Sequence, residues 1–181
     1  YGADGYIEVK KSALNDEEYL KYILFHEMLH AITSVRDENG KEIMLGFSYL
    51  VNSYGMGLNE AMTEYLTQIR NSRFAPNNKE LTSGYSTIVE QIRRLDLIMG
   101  GDKELKKCYF YNPDNLKWII SEKGMSYDEL ELSFFNFCAY GIDDDVRRMS
   151  TGKQIEKMSN CRLYQDAETI FKNYSKAIGS V

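Results

Sequence analysis

Both histidines of this 181-residue chain lie in one stretch, YILFHEMLHAI, from Tyr22 to Ile32. His26 and His30 are four apart, and Glu27 directly follows the first. On a helix each residue advances about 100°, so the two imidazoles stand roughly 40° apart on one face, one turn apart in height. Rings so placed can share one cation, and zinc (Zn2+) prefers such nitrogen ligands. Glu27 falls at the edge of that face, too far round to ligate comfortably. It is positioned to take a proton from a metal-bound water whose pKa the ion has lowered. H-E-x-x-H is thus a pattern for hydrolysis, with two ligands and a base. The apolar neighbours Ile23, Leu24, Phe25, Ala31 and Ile32 predict a helix buried at the floor of a cleft.

A catalytic zinc takes three protein ligands and keeps one position open. No further histidine exists in the chain, so a carboxylate is expected as the third. Asp37 and Glu38 fall in a charged turn and read as solvated surface. The run Asp143 to Asp145 reads as charge at a helix start. The stretch GLNEAMTEYL is the stronger source, because Glu60 and Glu64 are again four apart on a second predicted helix. Glu60 is expected to complete the ligand set. Glu64 is expected to accept the free ring N–H of a ligating histidine, which fixes its tautomer and raises its basicity.

H-E-x-x-H followed some tens of residues later by N-E-x-x-x-[DE] resembles the gluzincin metallopeptidases, the thermolysin-like group. The resemblance covers Tyr6 to about Arg73. It implies Glu60 as the third zinc ligand and a bond from Glu64 to His26, with glutamate here where the family usually has aspartate. GFSY resembles the G-x-x-Y stretch that carries the family's transition-state tyrosine, which implies Tyr49, with Tyr54 as competitor. Larger members add a histidine for the oxyanion, and the extended metzincin pattern adds one as third ligand. This chain has neither, so compact gluzincins are the better comparison.

The elements that must position these residues can be read from pattern. Tyr6–Val9 alternates and is predicted as a strand. Asn15, with Glu18 three residues on, is the predicted N-cap of a helix from about Asp16 to Val35. RDENGK then turns the chain. Lys41–Val51 is rich in strand formers and reads as one strand, or as a hairpin if Gly46 turns it. Asn59 is the predicted cap of the second helix, to about Arg73. Beyond it the pattern is helical. Apolar residues recur between positions 85 and 99 at three-four spacing. Two short helices follow, the second opening on Pro113. Ser126 with Glu129 caps another, and a last helix runs roughly from Arg162 to Ile178. The expected fold class is α+β, a zincin-like single domain. Residues 1–75 supply the sheet, the histidine helix and the third-ligand helix, and 76–181 form a helical part.

An apolar share of 43% with 13% aromatics is ample for a core, and a net charge of −5 with scattered cations offers nucleic acid no basic patch. No apolar run approaches the roughly 20 residues that span a bilayer. Cys108, Cys138 and Cys161 are odd in number and widely spaced, so buried thiols are expected. The chain starts at Tyr1, so it is expected to belong to a longer protein, with an extracytoplasmic or cell-surface setting favoured over the cytoplasm. The expected function is zinc-dependent hydrolysis of peptide or protein substrates, with Glu27 as base and Tyr49 as oxyanion donor. Three alternatives stay open: a non-catalytic zinc module that binds a partner, a metal-dependent hydrolase of another amide, and a helical interaction domain with no metal.

Overall fold

The computed structural model describes residues 6–50, 52, 54–74 and 86–140. Within them the chain is α-rich, with one small antiparallel sheet. A short 3-10 helix (Lys11–Asn15) leads into α1 (Glu17–Ile32), followed by β1 (Ser34–Arg36), β2 (Glu42–Leu45) and β3 (Ser48–Tyr49). Then come α2 (Met56–Phe74), α3 (Ser86–Ile98), α4 (Asp102–Tyr111), α5 (Pro113–Glu122) and α6 (Tyr127–Tyr140).

Asp16 caps α1 by accepting the Tyr19 N–H at 3.0 Å, and Glu17 and Glu18 place negative charge on the first turn, where the helix dipole favours it. The expected cap, Asn15, is instead the last residue of the 3-10 helix, while Asp16 has the extended backbone a cap requires. α1 ends when Thr33 turns its hydroxyl back onto the Leu29 carbonyl at 2.8 Å. Val35, expected in the helix, lies in β1 instead, paired with Met44 of β2. The predicted Tyr6–Val9 strand does not form. Among the described residues no strand edge comes to it, and Tyr6 is exposed. A two-strand alternation without a partner strand has no ladder to join.

The sheet order is β1-β2-β3. RDENGK turns as expected, with the Asp37 carboxylate accepting the N–H groups of Asn39 and Lys41, both at 2.9 Å. Of the two readings of Lys41–Val51 the hairpin forms, β2 pairing with β3 around a bend at Gly46 with φ 50; Val51 itself lies outside the described residues. Glycine is required there for space as well as conformation. A Cβ would stand 2.2 Å from Asn59 Oδ1 and 2.5 Å from the Tyr109 ring. Asn59 is not a cap. Gly55, at φ 83, turns the chain early, and its carbonyl accepts the Asn59 N–H at 2.9 Å, so α2 starts at Met56.

α2 is the central element, packed by α1, α3 and α6. Leu58, Ala61, Met62, Ile92, Leu95, Leu105, Leu116 and Ile120 are fully buried in one core that also takes in Phe47 and Tyr109. The helices from α3 to α6 follow the sequence pattern closely, with Pro113 opening α5 and the Ser126 hydroxyl accepting the Glu129 N–H at 3.3 Å. No helix among the described residues is long and apolar enough to cross a membrane. Cys108 is a buried free thiol. The side chain of Cys138, together with Cys161, Asp143 to Asp145 and the predicted last helix, lies outside the described residues.

Candidate metal centre

α1 and α2 meet along a polar seam inside an apolar interface. Tyr22, His26 and His30 project from α1 at four-residue spacing. Glu60, Glu64 and Gln68 project from α2 at the same spacing. The pairs run in opposite directions, Tyr22 to Glu64, His26 to Glu64 and Glu60, His30 to Glu60, so the helices are antiparallel. Repetition every four residues keeps each row on one face, which lets two short rows meet over two turns.

The three expected ligands come together. His26 Nε2 lies 3.2 Å from His30 Nε2 and 3.5 Å from Glu60 Oε2, and His30 Nε2 lies 3.3 Å from Glu60 Oε1. Ligands at about 2.0–2.1 Å from a tetrahedral zinc stand about 3.3–3.4 Å from one another. The donor set therefore fits such an ion in both chemistry and spacing, and these three residues form a group able to hold a metal. His26 and His30 are buried, at 8% and 6% exposure. The Glu60 side chain is 26% exposed and forms the open side of the cluster.

Behind the cluster, each imidazole is held through its other nitrogen. His26 Nδ1 lies 3.2 Å from Glu64 Oε2, the bond expected of Glu64. A fully buried carboxylate is costly unless paired and hydrogen-bonded. Glu64, at 0% exposure, also accepts from the Tyr22 hydroxyl and from Gln68 Nε2 at 3.1 Å. His30 Nδ1 lies 3.2 Å from the Asn59 side-chain nitrogen, and Asn59 Oδ1 accepts the Phe47 N–H at 3.2 Å. In this arrangement Asn59 donates to Nδ1, leaving the His30 proton on Nε2. A ligating His30 needs its proton on Nδ1, so metal binding requires the amide to turn.

Burial alone would lower the His26 pKa, but the carboxylates of Glu60 and Glu64, one on each ring nitrogen, outweigh it and push it up to about 9. For Glu60, burial would raise the pKa, and its bonds to His26 and His30 reverse the sign and hold it well below the usual carboxylate range. Both carboxylates thus favour the protonated form of His26.

Glu27 sits half-buried on α1, one residue and about 100° beyond His26. Tyr49 is brought elsewhere. Its hydroxyl donates to Asp114 of α5, which is the main reason its pKa is pushed up to about 12. Tyr54 likewise donates to Asp128 of α6. Among the described residues neither hydroxyl bonds to His26, His30 or Glu60.

The sequence reading missed Tyr22, Gln68 and the true place of Asn59. A signal for the first two was available, since each continues its row by one more step of four. No such signal marks Asn59, whose contacts depend on the hairpin folding over α2. Compared with protein-family models, with curated proteins and with solved structures, the chain finds no match.

Proposed function

We propose that this chain is a zinc-dependent metallopeptidase with a zincin-like, gluzincin-like arrangement, and that His26, His30 and Glu60 hold the ion. The observation that carries the proposal is the meeting of the three ligands: the two Nε2 atoms lie 3.2 Å apart, and each lies 3.3–3.5 Å from one or other Glu60 oxygen, close to the ligand spacing of a tetrahedral zinc. Bound there, zinc would supply Lewis acidity, lowering the pKa of a water and polarising a substrate carbonyl. The protein's own part follows from its residues. Glu64 fixes the His26 ring, with Tyr22 and Gln68 holding Glu64 in turn. Asn59 holds the His30 ring at Nδ1, and supports a ligating tautomer once its amide has turned to accept there. Glu27 is the base that takes the proton of the attacking water and returns it to the leaving amine. Tyr49 serves as oxyanion donor only once its hydroxyl leaves Asp114. The substrate is a peptide or protein.

A second reading has its own observation. The separations of 3.5 and 3.3 Å to the two Glu60 oxygens also suit N–H donors on His26 and His30, and the carboxylates beside His26 favour its protonated form when no metal is bound. On that reading the seam only joins two helices. The test is a mixed peptide library incubated with zinc-loaded protein and read by mass spectrometry, wild type beside Glu27→Gln. The proposal expects cleavage by wild type and a loss of about 10²–10⁴-fold in the variant at unchanged zinc content. One zinc with no cleavage would favour a non-catalytic zinc module, or a hydrolase of another amide. No zinc at all would leave the proton-sharing reading.

A further inference from the structure

Outside the set of metal ligands, three tyrosines surround one ammonium group. Lys117 Nζ, from α5, lies 5.0 Å from the Tyr49 ring centroid, 5.1 Å from Tyr54 and 5.4 Å from Tyr127. All three distances fall within the roughly 6 Å over which a ring face attracts a cation. The rings are neighbours, Tyr49 to Tyr54 at 6.4 Å and Tyr54 to Tyr127 at 5.8 Å between centroids.

The box is built without help from its occupant. Tyr127 is buried, and Tyr49 and Tyr54 pair across a β-bridge. The hydroxyls of Tyr49 and Tyr54 donate to Asp114 and Asp128, two exposed carboxylates, which orients both rings. Lys117, by contrast, makes neither a hydrogen bond nor an ion pair among the described residues. Among the described residues its ammonium is held by ring faces, and the side chain is half-buried.

We propose that this box is a binding site for an alkylammonium group, the side chain of a lysine on an incoming peptide, with Lys117 as its resident stand-in. The occupant already there defines the chemistry: a primary ammonium on an aliphatic stem, against the π faces of three tyrosines, two of which bond carboxylates through their hydroxyls. An incoming lysine displaces Lys117 and inherits its contacts. This inference stands on the box alone and does not depend on the zinc site.

The test is titration of Ac-Gly-Lys-Gly-NH2, with the norleucine analogue as control, into wild type and Lys117→Met, followed by tyrosine ring NMR shifts. Because Lys117 occupies the box, its effective concentration at least matches its own dissociation constant there, so its removal is expected to tighten binding by about twofold or more. Adding Asp128→Asn should weaken binding again, and norleucine should not bind. A folded Lys117→Met protein that binds the lysine peptide no better than wild type, or no better than norleucine, overturns the proposal. If Lys117→Met does not fold, wild type decides. Tens of millimolar lysine peptide must then shift the rings of Tyr49, Tyr54 and Tyr127 where norleucine does not, and the absence of such shifts overturns it.

Discussion

The molecule carries two polar clusters built on opposite plans. The seam between α1 and α2 is buried and ionic, and each helix contributes side chains at regular four-residue spacing. The tyrosine box is partly open, and its bonds join residues 65 and 74 apart in sequence, with no periodic relation between them. In the seam, removing one group leaves a buried charge or donor uncompensated, which is expensive. In the box, Asp114 and Asp128 are exposed, and water replaces much of what a substitution removes. The seam should therefore be sensitive to single changes and the box tolerant of them.

The largest expected effect is at Glu64. Glu64→Ala should lower metal-free stability by about 3–5 kcal/mol, read from urea unfolding. The milder Glu64→Gln should weaken zinc binding by about 10–100-fold in a chelator competition. A change below about 1 kcal/mol in the first would put the seam on a par with the surface and dissolve the contrast. Next is Tyr22→Phe, which removes one hydrogen bond to a buried carboxylate and should cost about 1.5–3 kcal/mol. It should also weaken zinc binding less than Glu64→Gln does.

In the box, Asp114→Asn should bring the Tyr49 phenol down from about 12 towards its ordinary value near 10, as followed by tyrosinate absorbance. Because the folded-state pKa is raised, the stability that bond confers is fully present below about pH 10 and is lost as pH rises through about 12. The smallest effect is the coupling between clusters. Tyr22→Phe combined with Asp114→Asn should be additive within about 0.3–0.5 kcal/mol, and a larger non-additivity in a double-mutant cycle would mean that the two regions are one network.

The same contrast explains what could be read in the chain. His26, His30, Glu60 and Glu64 were legible because helical spacing is local, so two matched pairs suffice to suggest a meeting face. The helices α3 to α6 were legible for the same reason, since their caps and periodicity lie within each segment. Asn59 was misread because an asparagine before an apolar run looks like a cap. Only the early turn at Gly55 and the hairpin bend at Gly46 place it inside α2, against His30. β1 was read as the end of a helix because its partner, β2, lies across a turn and supplies the pairing that Ser34–Arg36 cannot show alone. Tyr49 and Tyr54 were noticed for their types, but their partners Asp114 and Asp128 belong to helices far along the chain. Nothing near the tyrosines announces them.

The most direct measurement is zinc content by plasma mass spectrometry after loading and dialysis, on wild type, His30→Ala and Glu60→Ala. About one zinc per wild-type chain, and little in either variant, is the result expected if His26, His30 and Glu60 form the site. A wild type that retains no zinc, or variants that retain as much as wild type, would contradict it.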